Sequence, residues 1–580
     1  MATVQRRPRP EWLERKGPRP SWRSVAAGTL TVLAALLVLL ALNVPVQIIP
    51  EESDRDTFVP LPLESFVRLP LEALVFFALI LAVPARFARL RTALAVVVGI
   101  VLGLSTVFKI LDIGFGQALN RPFDPLIDWT YGRDVIDLVR DSFGAGPGTV
   151  ILVLGTALAL ALLVLLPLAL LRLTRLAVRH RRRAWQTLAA LASLWLVLAL
   201  LDVRADTGEL ASADTAPYVY GEVSRIPSEL RDQQRFEEAA QDDPLRDVPP
   251  RQLLTGLRGK DVLFVFVESY GQVAVEGSSF SSGVDEVLAS GDRQLGKAGF
   301  SSRSAYLTSP TFGALSWLAH STLQSGLWVD SQQRYDLLVT GSRLTLSQIF
   351  GSAGWRTVDF VPANNRDWPQ GEFYQYDHIY DSRNIGYQGP RFGYPTMPDQ
   401  FTLDAVHHLE LADQGRRPLM AEIDLLTSHA PWSRIPRMID QSDVGDGSVY
   451  DGMPEQLPSA GDIWPDPKRI RAAYGKSIEY TLNALVTFIT TYGDDDTVVV
   501  MLGDHQPATV VSGEGASHDV PISIVARDHK VLDAISGWGW GAGLHPAPDA
   551  PVWRMDAFRD RFLAAYGSAR ETGLDATNGR

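Results

Sequence analysis

The chain has 580 residues, enough for more than one domain, and its formal net charge of −12 is unevenly distributed. Residues 1–201 carry 22 Lys and Arg against 14 Asp and Glu, a net of +8, whereas residues 202–580 carry 32 against 52, a net of −20. The acidic second part is unfavourable for binding nucleic acid, and the absence of cysteine excludes disulfides, thiolate metal sites and a cysteine nucleophile.

Five apolar segments of the first part are long enough to cross a bilayer, which takes about 17–25 residues. They lie at 25–42, 66–83, 92–111, 149–171 and 184–201. The first has a long basic stretch before it and a poor cleavage motif after it, so we expect a retained anchor. Basic residues cluster before the first segment and in every second connection, which predicts a cytoplasmic N-terminus. After five crossings, everything beyond about residue 202 is expected outside the cytoplasm.

The second part alternates short apolar runs with helical patterns. We divide it into a linker at 202–258, a main domain at 259–535, and a C-terminal helix and tail at 536–580. Strands are predicted at 261–267, 355–361, 418–426, 497–503 and 520–526, and helices at about 284–298, 311–324, 342–353, 399–414, 467–491 and 553–566. The strands are apolar throughout, as expected for a mostly parallel sheet covered on both faces by helices.

Reactive side chains follow three of these strands. Glu268 follows 261–267, the pair Asp504 and His505 follows 497–503, and His429 comes shortly after 418–426. Because parallel strands end at one edge of a sheet, we expect these side chains to converge there. Two carboxylates and an imidazole suit Mn²⁺, Zn²⁺ or Mg²⁺, and the nitrogen ligand makes Mg²⁺ the least suitable.

A hydroxyl nucleophile is expected to complete this site, because coordination to a cation would lower its pKa. Thr311 is the best candidate. We expect Ser309 to cap a helix that begins at Pro310, which places Thr311 in its first turn. Backbone N–H groups there would face an incoming phosphate. Thr308 and Ser316 are weaker candidates, and simple helix capping is the alternative for this segment.

The order of these motifs resembles that of the sulfatase-like branch of the alkaline phosphatase superfamily. With five leading membrane helices, the chain is most similar to the lipoteichoic acid synthase group. The resemblance implies a multi-pass helical membrane domain followed by an α/β alkaline phosphatase-like catalytic domain outside the cytoplasm. It also implies one Mn²⁺, held by Glu268, Thr311, Asp504 and His505, with Thr311 carrying a covalent phosphoryl group during transfer of glycerol phosphate from phosphatidylglycerol.

Three further positions match substrate-contacting residues of similar proteins. His429 lies in a Ser-His-Ala-Pro motif, and Arg366 lies in Asn-Asn-Arg-Asp, where a guanidinium can clamp a phosphate with two hydrogen bonds. His518 resembles a histidine of phosphoethanolamine transferases. The alternatives are a surface salt bridge for Arg366 and loop capping for His518. Asn364 replaces the group's tryptophan, and a histidine expected near residue 357 is absent, so recognition of the substrate differs from that of the group.

The sequence therefore predicts a membrane-anchored, metal-dependent phosphotransferase of the cell envelope. The expected donor is a phospholipid similar to phosphatidylglycerol, and the acceptor is a glycan, lipid or polymer hydroxyl; with water as acceptor the same site is a phosphodiesterase. A sulfatase is the first alternative, although the Ser309–Gly313 segment lacks the formylglycine motif of sulfatases. A phosphoethanolamine transferase and a non-enzymatic scaffold are the others.

Overall fold

The computed structural model describes residues 22–45, 68–119, 121–125, 128, 145–205, 208–249, 252–393, 396–413 and 415–567. The chain divides into two compact units. The first is formed by residues 1–48, 60–112 and 134–224, and the second by residues 49–59, 113–133 and 225–580. The five predicted spans fall in the first unit, and all candidate site residues fall in the second.

Apolar helices form the first unit. They are α1 (Trp22–Leu42), α2 (Leu71–Ala82), α3 (Ala88–Leu119), α4 (Ala145–Arg179) and α5 (Arg181–Leu200). Four stretches, at Val25–Leu42, Ala85–Gly116, Gly146–Arg179 and Arg181–Leu200, are long and apolar enough to cross a membrane. Helix α2 has 12 residues, about 18 Å at 1.5 Å per residue, which is less than the ~30 Å hydrocarbon core. The second predicted span is therefore too short to cross as a helix alone.

Charged groups of the first unit are buried against a helix N-terminus. Helix α6 (Thr215–Gln241) occupies much of the predicted linker, and Glu72 accepts the N–H groups of Thr215 and Ala216 at 2.8 and 3.1 Å. Lys109 is fully buried and donates to the Thr215 hydroxyl at 3.0 Å. These bonds satisfy backbone donors that a helix start otherwise leaves unpaired. Two-residue strands pair nearby, at Leu69–Pro70 with Ala211–Ser212 and at Arg204–Ala205 with Gly208–Glu209.

One sheet organises the second unit, and nine strands of the described residues form it. They are β1 (Asp261–Val267), β2 (Ser301–Thr308), β3 (Arg356–Val361), β4 (His378–Asp381), β5 (Leu419–Leu425), β6 (Thr497–Gly503), β7 (Asp519–Ala526), β8 (Gly541–Ala542) and β9 (Val552–Arg554). Their order is β8-β2-β7-β6-β1-β5-β3-β4, with β9 also paired to β2. Only β7 and β8 of these run against the others, so the predicted mostly parallel sheet is confirmed.

Helices cover both faces of this sheet. The longer ones are α7 (Ser281–Lys297), α8 (Ser316–Ser325), α9 (Gln332–Val339), α10 (Leu346–Ser352), α11 (Asp399–Val406), α12 (Pro467–Tyr492) and α13 (Asp556–Tyr566). Short α-helical turns lie at Gln272–Val275, Ala460–Ile463, Thr509–Ser512 and His529–Asp533, and a π-turn at His407–Leu411 extends α11. Alternate residues of the fully buried β1 point to two separate cores, with Leu263 in one and Phe264 in the other. Helices α7, α11 and α12 pack on the first core, and α8, α10 and α13 on the second.

Two features at the sheet edge differ from the sequence prediction. Residues 301–308 form the strand β2, which its polar, alternating sequence did not reveal, and β2 ends just before Thr311. The predicted helix 311–324 begins only at Ser316, so Thr311 lies in a loop and not in a first helical turn. Gly313 and Leu315 take positive φ angles of 73° and 71°, which a helix does not allow, and Phe312 forms a bridge with the distant Gln506.

The C-terminal segment belongs to the second unit. Strands β8 and β9 pair with β2, and α13 packs its Phe558 and Phe562 into the core beside α8 and α10. The predicted helix of this segment is present, while residues 568–580 lie outside the described residues.

Candidate active site

Glu268, Asp504 and His505 converge at the carboxyl edge of the sheet. Strand β1 delivers Glu268 and its parallel neighbour β6 delivers Asp504 and His505, with Gly503 opposite Val267 in the register. One ligand atom from each lies within 4.8 Å of the others, and the side chains are at most 5% exposed. The structure therefore brings these three predicted side chains together.

The imidazole of His505 is held in the orientation that a cation ligand needs. Its Nδ1 lies 2.8 Å from the carbonyl oxygen of Gln506, which fixes the proton on Nδ1 and leaves the lone pair on Nε2. That Nε2 is 3.4 Å from Glu268 Oε1 and 3.6 Å from Asp504 Oδ2. These separations are close to the roughly 3.4 Å between ligands of a tetrahedral site with ~2.1 Å bonds.

Asp504 supplies the clearest sign that a cation belongs here. Its Oδ1 accepts the N–H groups of Ser269 and His505, both at 2.7 Å, whereas its buried Oδ2 has no hydrogen-bond partner in the described part of the chain. Burial and then the charge of Glu268 raise the pKa of Asp504 to about 6. A buried carboxylate oxygen without a donor is costly, and a bound divalent cation would remove that cost. The donor set thus fits a metal ion.

Close backbone packing holds the two ligand strands together. The N–H of Ser269 can reach Asp504 because Ser269 adopts a positive φ of 57°. A Cβ added to Gly503 would lie 1.9 Å from the carbonyl oxygen of Tyr270, so only glycine fits before Asp504. The Gly-Asp-His motif therefore requires glycine at position 503, because the turn that follows β1 packs directly against the Cα of this residue.

Two hydroxyls contact the triad, the name used from here on for Glu268, Asp504 and His505. The Ser269 hydroxyl donates to Glu268 Oε1 at 2.8 Å, and the second hydroxyl is that of Ser316. As the first residue of helix α8, it donates to Glu268 Oε2 at 2.9 Å, and its Oγ is 3.3 Å from His505 Nε2. The sequence placed Ser316 behind Thr311 as a candidate. The structure shows that Ser316 orients a ligand carboxylate, because α8 begins five residues later than predicted.

Thr311 is buried beside the segment that carries the ligands. Ser309 links the two, since its Oγ donates to the Asp504 carbonyl oxygen at 2.5 Å and lies 3.4 Å from Thr311 Oγ1. The N–H of Gly313 donates to the Gln506 carbonyl oxygen at 2.8 Å. The loop around Thr311 is therefore anchored on residues 504–506 from both sides, and Thr311 is 4% exposed.

His429 and His518 reach the same edge by different routes. His429 follows β5, whereas His518 precedes the antiparallel β7, and Asp519 is paired with Thr308 at the end of β2. Burial lowers the pKa of His429 to about 4 and lowers the pKa of His518 as well. Each imidazole is thus neutral at physiological pH.

The protonation of His429 can be assigned from its neighbour. Its Nδ1 lies 2.5 Å from the Ala430 carbonyl oxygen, which places the proton on Nδ1 and the lone pair on Nε2. His518 is instead bonded to the loop that contains Thr311: its carbonyl oxygen accepts the N–H of Ser309 at 2.9 Å, and its ring lies 5.2 Å from that of Phe312.

Arg366 is exposed and is not brought to the triad by any hydrogen bond or ion pair among the residues that the structure describes. Among the described residues Arg366 also forms no salt bridge with Asp367 or Asp359, the predicted alternative. Asp367 pairs with Arg383 at 2.8 Å, and Asp359 is buried. The guanidinium of Arg366 therefore remains available to a ligand.

A second polar group beside the triad was missed from the sequence. His320 lies near Glu422 and Asp424, which occupy alternate positions of the buried strand β5. Two features of the sequence could have indicated this cluster. The strand has two acids on one face and is otherwise apolar, and Ser316, His320 and Gln324 recur at every fourth residue of α8, which places them on one face of the helix.

One family model matches part of the second unit. Residues 322–523 match the family model described as Sulfatase, which confirms the predicted resemblance to sulfatase-like enzymes. The match covers strands β3 to β6 and most of β7, and it includes Asp504, His505 and His429. No curated protein sequence matches the chain.

Solved structures show likenesses at low identity. The lipoteichoic acid synthase LtaP from Listeria monocytogenes is 16% identical, with 51% of this chain and 71% of that chain covered and a TM-score of 0.35. The periplasmic domain of EptC from Escherichia coli is 11% identical, with 54% and 83% covered and a TM-score of 0.36. The phosphoglycerol transferase GacH from Streptococcus pyogenes is 12% identical, with 59% and 91% covered and a TM-score of 0.33. At these scores the likenesses carry no information on the reaction of this chain.

Proposed function

We propose that this protein is a membrane-anchored, metal-dependent phosphotransferase that moves a phosphoglycerol-like group from a phospholipid to a hydroxyl of the cell envelope. The transferred group passes through an ester with Thr311. The acceptor is a glycan, lipid or polymer, and water in its place makes the reaction a hydrolysis.

The observation that carries this proposal is that three buried candidate metal ligands lie beside the buried loop that contains Thr311. Asp504 Oδ2 lacks a donor among the described residues, and His505 Nε2 presents its lone pair to the same point. Glu268, Asp504 and His505, with Thr311, would hold one divalent cation; Mn²⁺ is our first choice and Zn²⁺ or Mg²⁺ are alternatives. When bound, the cation neutralises charge on the phosphoryl oxygens and lowers the pKa of the Thr311 hydroxyl.

The chain's own groups can balance the protons of both steps. Thr311 Oγ1 forms a bond to phosphorus, the bond from phosphorus to the lipid oxygen breaks, and the threonine proton moves to the leaving lipid hydroxyl. In the second step the acceptor oxygen forms the bond, the bond to Thr311 breaks, and the acceptor proton returns to Thr311. Neutral His429, with its lone pair on Nε2, is suited to accept and return that proton. His518 is the alternative carrier.

Substrate recognition is assigned to the residues around this edge. Arg366 is exposed and free of ion pairs with described residues, so it can bind a phosphate with two hydrogen bonds. The replacement of the resembled group's tryptophan by Asn364 keeps phosphoethanolamine transfer and sulfate-ester hydrolysis as second candidates.

A labelling experiment tests the proposal. Purified full-length protein in detergent is incubated with Mn²⁺ and phosphatidylglycerol carrying radiolabelled glycerol, and the protein is then digested and analysed by mass spectrometry. We expect diacylglycerol release and a Thr311 peptide heavier by one glycerophosphoryl group. Thr311→Ala should abolish the adduct, whereas Thr308→Ala, which changes a neighbouring hydroxyl bonded to Asp519, should keep it.

Parallel substrates separate the alternatives. Transfer only from phosphatidylethanolamine would identify a phosphoethanolamine transferase, and release of sulfate from an aryl sulfate would identify a sulfatase. An adduct that persists in Thr311→Ala would place the nucleophile elsewhere. A protein that binds no divalent cation and forms no adduct with any of these compounds would be a scaffold.

We further propose that the second unit faces the outside, as the distribution of basic residues predicts. This orientation requires the segment around the short helix α2 to cross. Because the chain has no cysteine, single cysteines can test it. In intact cells, a membrane-impermeant maleimide should label Glu455→Cys in the second unit and should leave Arg182→Cys, in the first turn of α5, unlabelled. The reverse pattern would contradict the orientation.

A further inference from the structure

A second cluster of possible metal ligands lies next to the first. His320 Nδ1 is 3.1 Å from Glu422 Oε1 and 3.5 Å from Asp424 Oδ1, and one ligand atom of each residue lies within 4.8 Å of the others. The side chains are 14%, 5% and 15% exposed, so the cluster is largely shielded from solvent. Its spacing resembles that of ligands around one cation with ~2.1 Å bonds.

The fold places this cluster between helix α8 and the sheet. His320 follows Ser316 by one helical turn, and its ring stacks on Phe266 with centroids 3.7 Å apart. Parallel pairing sets Glu422 opposite Phe264 and Asp424 opposite Phe266, which directs both carboxylates to the α8 face. The N–H of Glu268 donates to the Leu425 carbonyl oxygen at 3.0 Å, so the two clusters are neighbours.

The three side chains are held to different degrees. Glu422 is fixed on its other oxygen, since Gln324 Nε2 and Tyr376 Oη both donate to Oε2, the latter at 2.8 Å. Asp424 Oδ1 is buried and accepts no hydrogen bond from the residues described. Asp424 Oδ1 and His320 Nδ1 therefore face each other at 3.5 Å without a hydrogen bond between them.

An independent observation comes from the next strand. Asp359 is paired with Glu422 across β3 and β5, is only 2% exposed, and its Oδ1 also lacks a hydrogen-bond partner within the described ranges. Asp359 therefore adds a third carboxylate, on the strand next to Glu422.

The ring nitrogen of His320 faces two carboxylates, at 3.1 and 3.5 Å. A divalent cation suits such a mixed nitrogen and oxygen ligand set. Imidazole binds a metal in its neutral form, so the cation would take the place of a proton on this ring.

We propose that His320, Glu422 and Asp424 bind a second divalent cation, Zn²⁺ or Mn²⁺, beside the site of Glu268, Asp504 and His505. Asp359 lies beside this site as a further carboxylate. The inference concerns the ligand set alone and holds whichever ester the protein transfers or hydrolyses.

Metal stoichiometry tests it. Full-length protein in detergent is stripped with a chelator, dialysed against Zn²⁺ or Mn²⁺, and measured by mass spectrometry of the metal. We expect two equivalents in the wild type and one in Asp424→Asn, which preserves shape but removes the charge. Asp504→Asn should also bind one equivalent, and the double variant none. Asp367→Asn, at a carboxylate that is 91% exposed, is the matched control and should bind two.

One equivalent in the wild type, lost in Asp504→Asn and kept in Asp424→Asn, would overturn the inference while leaving the first site intact. The reverse pattern would overturn the first site instead. Because a variant can fail to fold, crystals of wild-type protein grown with the metal provide a second measurement. An anomalous peak bounded by His320 and Asp424 supports the site, and the absence of such a peak at saturating metal contradicts it.

Discussion

The substitution Ser316→Ala separates a hydroxyl that orients a ligand from one that reacts. Ser316 donates to Glu268 at 2.9 Å, and Glu268 is 5% exposed. A hydrogen bond to a charged group is worth about 1.5–3 kcal/mol. At 1.36 kcal/mol per factor of ten, the loss of this hydrogen bond corresponds to roughly a 10- to 150-fold higher dissociation constant for the cation. This range agrees with the 10- to 100-fold losses of metal affinity typical of residues that orient ligands.

The assay measures metal affinity and turnover separately. Mn²⁺ binding is followed by electron paramagnetic resonance, and turnover by hydrolysis of bis(p-nitrophenyl) phosphate over a range of Mn²⁺ concentrations. We expect Ser316→Ala to need more Mn²⁺ but to recover most of its turnover at saturation. Thr311→Ala should show no turnover at any Mn²⁺ concentration. Ser325→Ala is the control, because Ser325 lies at the other end of the same helix.

One result would refute this reasoning. If Ser316→Ala binds Mn²⁺ as tightly as the wild type and yet has no turnover at saturation, Ser316 is the reacting hydroxyl. Thr311 would then belong only to the loop that Ser309 ties to Asp504.

Three further predictions concern folding. Gly503→Ala should abolish both the metal site and cooperative thermal unfolding, because its Cβ would lie 1.9 Å from the carbonyl oxygen of Tyr270. Asp243→Ala should lower the free energy of unfolding in denaturant by about 3–5 kcal/mol, since it leaves the fully buried Arg559 without its 2.8 Å partner. Compared with His429→Gln, the wild type should lose up to about 3 kcal/mol more stability as the pH falls from 6.5 to 4, because the folded pKa of His429 is about 4.

The first two of these predictions have matched control variants, and the third has a result that would contradict it. Gly537→Ala adds a Cβ that meets nothing within 4 Å and should be tolerated. Asp560→Ala removes the more exposed partner of Arg559 and should cost less than Asp243→Ala. For His429 the sign follows from linkage: the unfolded imidazole binds a proton that the folded one does not, so the contribution of His429 to stability rises with pH across this window. An unchanged pH profile in His429→Gln would contradict the burial of that ring.

Local sequence was sufficient for the parts of the site that follow apolar strands. Glu268 and the pair Asp504 and His505 come directly after continuous runs of buried residues. Such runs form strands wherever both faces are covered, and parallel strands end at a common edge. The triad could therefore be predicted without knowledge of the strand order. The long helices of the first unit could also be predicted, because length and hydropathy decide them.

Tertiary structure alone decided the remaining features, because they depend on pairings between distant segments. The antiparallel direction of β7 brings His518 to the edge where the other strands end. The bridge between Phe312 and Gln506 keeps Thr311 in a loop and makes Ser316 the start of α8. The register of β5 on β1 turns Glu422 and Asp424 toward His320. Register and strand direction are fixed by long-range hydrogen bonds and packing, which no local pattern records.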